Sequence, residues 1–408
     1  MMNNSSTGIH GYWMQHIHSF YVIVRFVFAL ADALTTAIVT VYLLGKGLSF
    51  TEIGAVWSVL LFFSTVLDFP TGNFADIYGR KLAFVIGVIS IGLGNFIYGI
   101  GRILWVFFIA AFFVGFGGAQ ISGSLTSWIV DEQIKADKQD VVSKIFGDGA
   151  AVASVGGIIG GIFIGIFFTG PLELLYFLSA TLFILTGVFV FVSIPDNYGQ
   201  PTGRWISLPK EVISHYIHSA SLIILSVTLV LMFACFTVYL FVWQPLALQL
   251  GIQKGDLGYF YAIFMAGSAA GAFGMGRISK KTGEIVTLAS CFLFSITGFL
   301  TISLNLGIIG LTFGLIQFSL GYGGFIPVLY AYMNVFIPSS IRASTSSLIG
   351  TIGTGGIIIL QVTMGAFIEF RGLMAASMCA IAFGFMAILA LFLLSRRTQD
   401  QKRPEDAS

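Results

Sequence analysis

Twelve apolar runs, each about twenty residues or longer and each bounded by glycine, proline or charge, decide what this chain can fold into. Hydrocarbon offers no partner for a backbone N–H or C=O, so a segment crossing it must close its hydrogen bonds internally. A helix does this over roughly 20 residues. The runs cover 21–44, 52–72, 82–101, 104–129, 143–168 and 172–194, then 221–250, 256–276, 284–304, 307–334, 343–367 and 371–394. Composition agrees, with 57% hydrophobic residues and only 9% Asp, Glu, Lys or Arg, where a soluble domain carries roughly 25% charged residues. A soluble fold is excluded, and the expectation is an all-α membrane protein of twelve transmembrane helices.

The polar stretch from Pro195 to His218 is the only connection long enough to join two bundles. The expected domains are therefore an N-terminal six-helix bundle over 1–194, a linker over 195–218 and a C-terminal six-helix bundle with its tail over 219–408. Lys and Arg set orientation, because they are retained on the cytoplasmic side. With both termini inside, fifteen fall in cytoplasmic segments and only Lys46, Arg102, Lys254 and Arg371 in outer loops, leaving Arg25 within the first span. The expected location is the cell membrane, plasma or inner. The first twenty residues hold no Lys or Arg, so the first span is expected to remain as a span instead of acting as a signal peptide.

A shift of 204 places Gly47, Gly54, Gly72 and Gly79 on Gly251, Gly258, Gly276 and Gly283. The same shift pairs Gly94 with Gly298, Gly117 with Gly321, Gly149 with Gly353 and Gly161 with Gly365. Random pairing of 27 glycines with 22 predicts about 3 coincidences, and 8 occur, the last four being independent of the choice of register. Six spans per half preserve direction across the bilayer, so the repeat is parallel, about a pseudo-two-fold axis along the membrane normal.

The segment between the second and third spans is the most specific signal. Gly72, Asp76 and Arg80 lie four apart, so a helical continuation puts them on one face, with Gly72 permitting close approach of a neighbouring helix. Asp76 is spaced to pair with Arg80, and Gly79 suits the turn that ends the helix. Such a cluster suits a latch on the cytoplasmic face; a loop that is merely charged is the alternative.

The pattern Gly72, Asp76, Gly79, Arg80 and Lys81 resembles the signature loop of the major facilitator superfamily, Gly-x-x-x-Asp-x-x-Gly-Arg-Lys/Arg. The resemblance extends over about 20–395 and implies that fold, with the loop in the cytoplasmic gate and Asp131, in SWIVDEQ, joining it from the fourth span. The second-half copy keeps Gly276 and Gly283 but has Lys280 and Glu284 where Asp76 and Arg80 stand. Proton-coupled exporters of the family carry Arg-x-x-Gln-Gly on the fourth span and Gly-Pro-x-x-Gly-Gly on the fifth. Here AFFVG has Ala111 and Val114, and Gly157 replaces the proline.

A charge near the bilayer centre costs roughly 2.5–3.5 kcal/mol on insertion scales, so each demands a reason. Asp32 lies midway along the first span, with Arg25 seven residues before it on nearly the same face, about 10 Å away along the axis. Asp32 is the candidate for proton coupling and Arg25 its tuning partner or an anion contact; a structural polar anchor is the competing reading. Asp68 and Asp148 sit near helix ends, where Arg80 or Lys144 is placed to satisfy them. Candidate cavity residues are Gln120, which the family's lining of first, fourth, seventh and tenth spans implies, with Tyr239, Trp243, Gln244, Gln317, Tyr322, Tyr330, Asn334 and Gln361. As a group they favour a small apolar or amphipathic solute.

No phosphate-binding Gly-x-x-x-x-Gly-Lys-Ser/Thr loop, HExxH or GxSxG element occurs, so an ATP-driven pump or an intramembrane enzyme is disfavoured. Cys235, Cys291 and Cys379 share no metal or disulfide spacing, and no cofactor is implied. His10, His16 and His18 match no metal site and suit a solvated tail. The net charge of +2, spread along the chain, points away from nucleic acid. The reading is a monomeric, non-enzymatic secondary active transporter of a small organic solute, working by alternating access in the lipid bilayer with H+ as coupling ion. Efflux is one direction open to it, and a non-transporting receptor or assembly partner is the alternative.

Overall fold

The computed structural model describes residues 9–199 and 210–402. The linker positions Pro201, Gly203, Arg204 and Pro209, and Arg403 in the tail, lie outside the described residues. The fold is all-helical among the described residues. Its helices are α1 (Ile9–Gln15), α2 (Ile17–Thr36), α3 (Val39–Gly45), α4 (Phe50–Tyr78), α5 (Arg80–Ile100), α6 (Leu104–Ile121), α7 (Ser124–Lys135), α8 (Val142–Phe167) and α9 (Glu173–Ser193). They continue with α10 (Lys210–His218), α11 (Ala220–Gln249), α12 (Leu257–Thr282), α13 (Glu284–Ser303), α14 (Gly307–Met333), α15 (Arg342–Arg371) and α16 (Leu373–Lys402). Twelve of the helical segments among the described residues are long and apolar enough to cross a membrane.

Two expected spans are interrupted. The first breaks after Thr36, where Ile38 N–H donates to the Thr35 carbonyl at 3.1 Å, three residues back, before α3 resumes the direction. The fourth breaks at Gly123, whose φ of 72 is open to glycine without strain. Ala37 and Ile38 at the first break and Ser122 at the second keep their amides bonded, which non-helical backbone at membrane depth requires. The second span runs six residues beyond the apolar limit at 72, to Tyr78, because the polar signature segment is itself helical.

The chain divides into two compact units. The first holds Met1–Leu48, Ala55–Ser207 and Lys254–Ala262; the second holds Ser49–Gly54, Leu208–Gln253 and Ile263–Ser408. In the first, α2 packs on α8 and α9, and α5 on α6 and α9, around a core that includes Phe20, Val24, Val88, Trp128, Phe183 and Val190. A buried relay ties three helices: Asn95 Nδ2 donates to Ser179 Oγ at 3.0 Å, which donates to the Ala31 carbonyl at 2.7 Å. In the second, α11 packs on α15 and α16, and α13 on α14 and α16, around Met232, Phe292, Phe325 and Leu329.

Glycines show how the repeat is built, since membrane helices associate by close packing without a hydrophobic drive between them. A Cβ at Gly117 of α6 would lie 2.5 Å from the Gly87 carbonyl of α5, and one at its repeat mate Gly321 of α14 would strike the Cys291 carbonyl of α13. Gly149 of α8 is covered by Tyr21 of α2, and Gly353 of α15 by Leu229 and Phe233 of α11. In the first unit Gly161 of α8 meets Gly258 and Ala262 of α12; in the second Gly365 of α15 meets Phe50 and Thr51 of α4. Each pair performs one task in two places, which is the signature of a duplicated six-helix scaffold.

At Gly117 any added methyl overpacks a backbone contact, a change that costs about 1–3 kcal/mol. Gly117→Ala is expected to lower the thermal midpoint of the detergent-purified protein. Gly72→Ala, at a helical site with no heavy atom within 4 Å of the new Cβ among the described residues, is expected to leave it unchanged or raise it.

Candidate functional site

The turn between α4 and α5 places two cations, Arg80 and Lys81, in the first turn of a helix, where the backbone dipole is already positive. Carboxylates from three parts of the first unit compensate them. Arg80 Nη2 pairs with Asp76 Oδ1 at 3.3 Å, while Nη1 donates to Asp131 of α7 and to the Ser127 carbonyl at 3.0 Å. The expected trio of Asp76, Arg80 and Asp131 is thus assembled around a largely buried guanidinium.

Asp196, which sequence reasoning did not single out, supplies the third carboxylate. Lys81 N–H donates to its Oδ1 at 2.9 Å and Leu82 N–H to its Oδ2 at 3.3 Å, so α5 is capped from a residue 115 positions away in the chain. Gly79 adopts φ 114 there, and a Cβ on it would run into the Asp196 carboxylate. Two backbone bonds close the same junction: Arg80 N–H to the Asn197 carbonyl at 3.0 Å, and Gly199 N–H to the Asp76 carbonyl at 3.2 Å. Trp128 Nε1–H donates to the Pro195 carbonyl at 3.0 Å, and Asn197 Nδ2 donates to Glu132 Oε1 at 3.0 Å. The opening of the linker, Pro195–Gly199, is therefore knitted to the signature turn and to α7. The Pro-Asp-Asn sequence directly after an apolar span marks the end of that span but not the partners of its Asp.

Three details differ from expectation. Gly72 faces open space among the described residues, because α4 continues past it with that side uncovered. Asp68 takes part in none of the described ion pairs; its carbonyl accepts from Thr71 Oγ1 at 3.0 Å. Asp148 pairs with His18 at 2.9 Å, not with Lys144, because α2 begins early enough to carry that histidine over α8.

Along α2 the polar residues form one stripe. Asp32 is exposed and its Oδ2 accepts from Thr36 Oγ1 at 3.3 Å, one turn before the break in the span. Arg25 is partly buried on the same stripe, and its Nε has no hydrogen-bond partner. The two are not bonded to each other. Gln120, at the end of α6, is buried with Oε1 unpartnered.

In the second unit Tyr239 and Trp243 of α11 are buried in an aromatic stack, with Tyr239 4.6 Å from Phe264 and 5.1 Å from Phe318. Trp243 Nε1 is buried without a partner, and Gln244 beside it is fully buried. Tyr322 lies 5.9 Å from Phe318, whereas Gln317 accepts from Thr301 Oγ1 at 2.9 Å. Asn334 stands in the 3-10 turn after α14, about 18 Å along the helix from Tyr322.

The sequence profile described as Major Facilitator Superfamily matches residues 21–361. The chain belongs to the major facilitator superfamily. It is accordingly a multi-pass membrane transport protein and not an enzyme. Among relatives, the uncharacterized MFS-type transporter YxaM of Bacillus subtilis is 24% identical over 387 residues, covering 90% of both chains. The quinolone resistance protein NorA of Staphylococcus aureus is 22% identical over 280 residues, 66% of this chain and 69% of that one. A crystal structure of a variant of the nucleoside transporter NupG superposes with a TM-score of 0.81 over 92% of this chain and 99% of that one, at 14% identity, which shows a shared superfamily fold.

Within that superfamily fold, the Asp196 cap is a local determinant with a measurable effect. Removing an N-cap carboxylate costs about 0.5–2 kcal/mol, so Asp196→Ala is expected to lower the unfolding free energy of the purified protein by that amount. Asp196→Asn, which still accepts, is expected to lose less. Equal losses would show that the cap hydrogen bonds contribute nothing.

Proposed function

We propose that this superfamily member is a secondary active transporter that moves a small organic solute by alternating access and couples it to protons through Asp32. The carrying observation is a carboxylate on a membrane span, exposed on a face it shares with Arg25 and bonded to Thr36 at 3.3 Å. A charge turned to hydrocarbon costs roughly 2.5–3.5 kcal/mol, so this face is one that meets water, where a carboxylate takes up and releases protons. The relatives' names support an organic solute. The chain acts as a monomer in the cell membrane, with both termini cytoplasmic, as the distribution of Lys and Arg favours.

The Asp76–Arg80–Asp131 cluster serves as the cytoplasmic gate. Its ion pairs hold the signature turn in one arrangement, and the linker opening bonded to the same turn carries that arrangement to the start of the connection. The second-half counterpart lacks this chemistry: Lys280 stands at the Asp76 position, and Arg277 stacks on the Phe273 ring at 3.4 Å.

Proteoliposomes under an imposed pH gradient test both assignments. Asp32→Asn is expected to abolish solute-linked proton movement, and full coupled flux in that variant removes Asp32 as the proton site. Asp76→Asn is expected to slow transport by about tenfold, equivalent to roughly 1.4 kcal/mol, with Lys280→Gln changing it little. Equal tolerance of both removes the gate assignment.

A further inference from the structure

The charges of α2 repeat every seven residues, at His18, Arg25 and Asp32. Two turns separate successive members, so all three fall within about 40° of arc, with neighbours about 10 Å apart. The outer members are matched: His18 with Asp148 of α8 at 2.9 Å, Asp32 with Thr36 at 3.3 Å. Arg25 between them is not. Its Nε is buried without a partner, and no ion pair among the described residues includes it. Other ionisable groups on the elements packed against α2 are Lys144 on α8, His10 and Tyr12 on α1, His16 in the turn before α2, and Tyr176 and Glu173 on α9, the latter held by Lys46 at 2.5 Å.

A guanidinium inside a membrane span calls for an anion, and its planar fork matches a carboxylate with two parallel hydrogen bonds. We propose that the substrate is a monoanionic organic acid whose carboxylate is held by Arg25, and that it crosses together with one proton carried on Asp32, an electroneutral cotransport. This rests on the reading of Asp32 as the coupling site.

Charge counting selects cotransport over exchange. The empty stripe, with Arg25 cationic and Asp32 ionised, sums to zero between them. With the carboxylate on Arg25 and the proton on Asp32 the sum is again zero. Exchange of the anion against a proton would pass through one state at −1, anion bound and Asp32 ionised, and another at +1, Asp32 protonated and Arg25 bare. Both would carry uncompensated charge through the step in which alternating access closes the stripe off from water, where low dielectric penalises it. A neutral or cationic substrate would leave Arg25 unmatched in every loaded state. The proton itself only binds to and leaves the Asp32 carboxylate, and the substrate is chemically unchanged. The His18–Asp148 pair is about half exposed on both side chains and is common to all four states, so it does not alter the comparison.

Matched probes separate the classes: benzoate with benzamide, phenylacetate with phenylacetamide, hexanoate with hexanamide, and benzylamine as cation, each titrated against the thermal midpoint of the purified full-length protein. At least one acid is expected to stabilise where its amide does not. Arg25→Gln is expected to weaken that binding by about tenfold or more, Arg25→Lys to restore part of it, and Asp32→Asn to retain it. Ligand-free midpoints equal to wild type exclude misfolding. In proteoliposomes the stabilising acid is expected to accumulate in an alkaline interior at a rate independent of a potassium–valinomycin clamp on the potential. Stabilisation only by amides or by benzylamine, binding that survives Arg25→Gln, no stabilisation by any acid, or acid flux that follows the potential would each overturn the inference. A neutral or cationic solute moving with protons overturns it and leaves the transporter reading standing, whereas no proton-linked movement of any solute removes both.

Discussion

A backbone amide in hydrocarbon must find its partner within the protein, and each one that does not costs several kcal/mol. That constraint makes every span helical and then removes the usual reason for helices to associate, since lipid tails are as apolar as leucine. What remains is close packing, and it is set by glycine. Where Gly117 meets the Gly87 carbonyl or Gly298 the Gly314 carbonyl, helix backbones touch, and dispersion over that contact replaces the missing hydrophobic drive. The two interrupted spans obey the same constraint: α2 and α3 are separated by a turn whose Ala37 and Ile38 amides remain bonded, and α6 and α7 by a glycine that leaves the Ser122 amide bonded.

Charge is the second thing a bilayer taxes, and the first unit handles Arg80 and Arg25 in opposite ways. Arg80 sits against the positive end of α5 and is surrounded by Asp76, Asp131 and the Ser127 carbonyl, while Asp196 satisfies the amides beside it. This is a closed network, with the partners needed to make buried charge tolerable already inside it. Arg25 is an open one. Its chemistry is fixed by the same rule, but none of the described ion pairs supplies the matching anion, and its Nε is buried without a partner.

How far the sequence anticipates this depends on the range of the interaction. Spans follow from local apolar runs, and the repeat from glycine spacing, because both are written in residues near one another or at a fixed offset. The Asp76–Arg80 pair is four residues apart and equally legible. Asp131 was reachable only through family resemblance, and Asp196 not at all, since its partners lie 115 positions away and nothing local distinguishes a capping Asp from a solvated one. His18 with Asp148 was missed for the same reason. Break positions within spans one and four were also hidden, because a turn between two helices of the same direction leaves hydropathy unchanged. Gly72 illustrates the converse: a glycine in a recognised motif suggested close packing where the structure leaves its face uncovered.

The two units share a scaffold and divide its chemistry. Gly94 and Gly298, Gly117 and Gly321, and Gly149 and Gly353 hold equivalent helix pairs together, so geometry is common to both. Titratable groups at membrane depth are not. Carboxylate and guanidinium occupy α2 in the first unit, whereas the corresponding α11 carries Tyr239, stacked with Trp243, Phe264 and Phe318, and the buried Gln244. Duplication supplies two copies of a packing solution that tolerates little change where, as at Gly117 and Gly321, a glycine meets a backbone carbonyl. The faces not engaged in that packing are free to diverge, and they have done so in kind: the first span of one unit carries Arg25 and Asp32, that of the other large rings with few polar atoms.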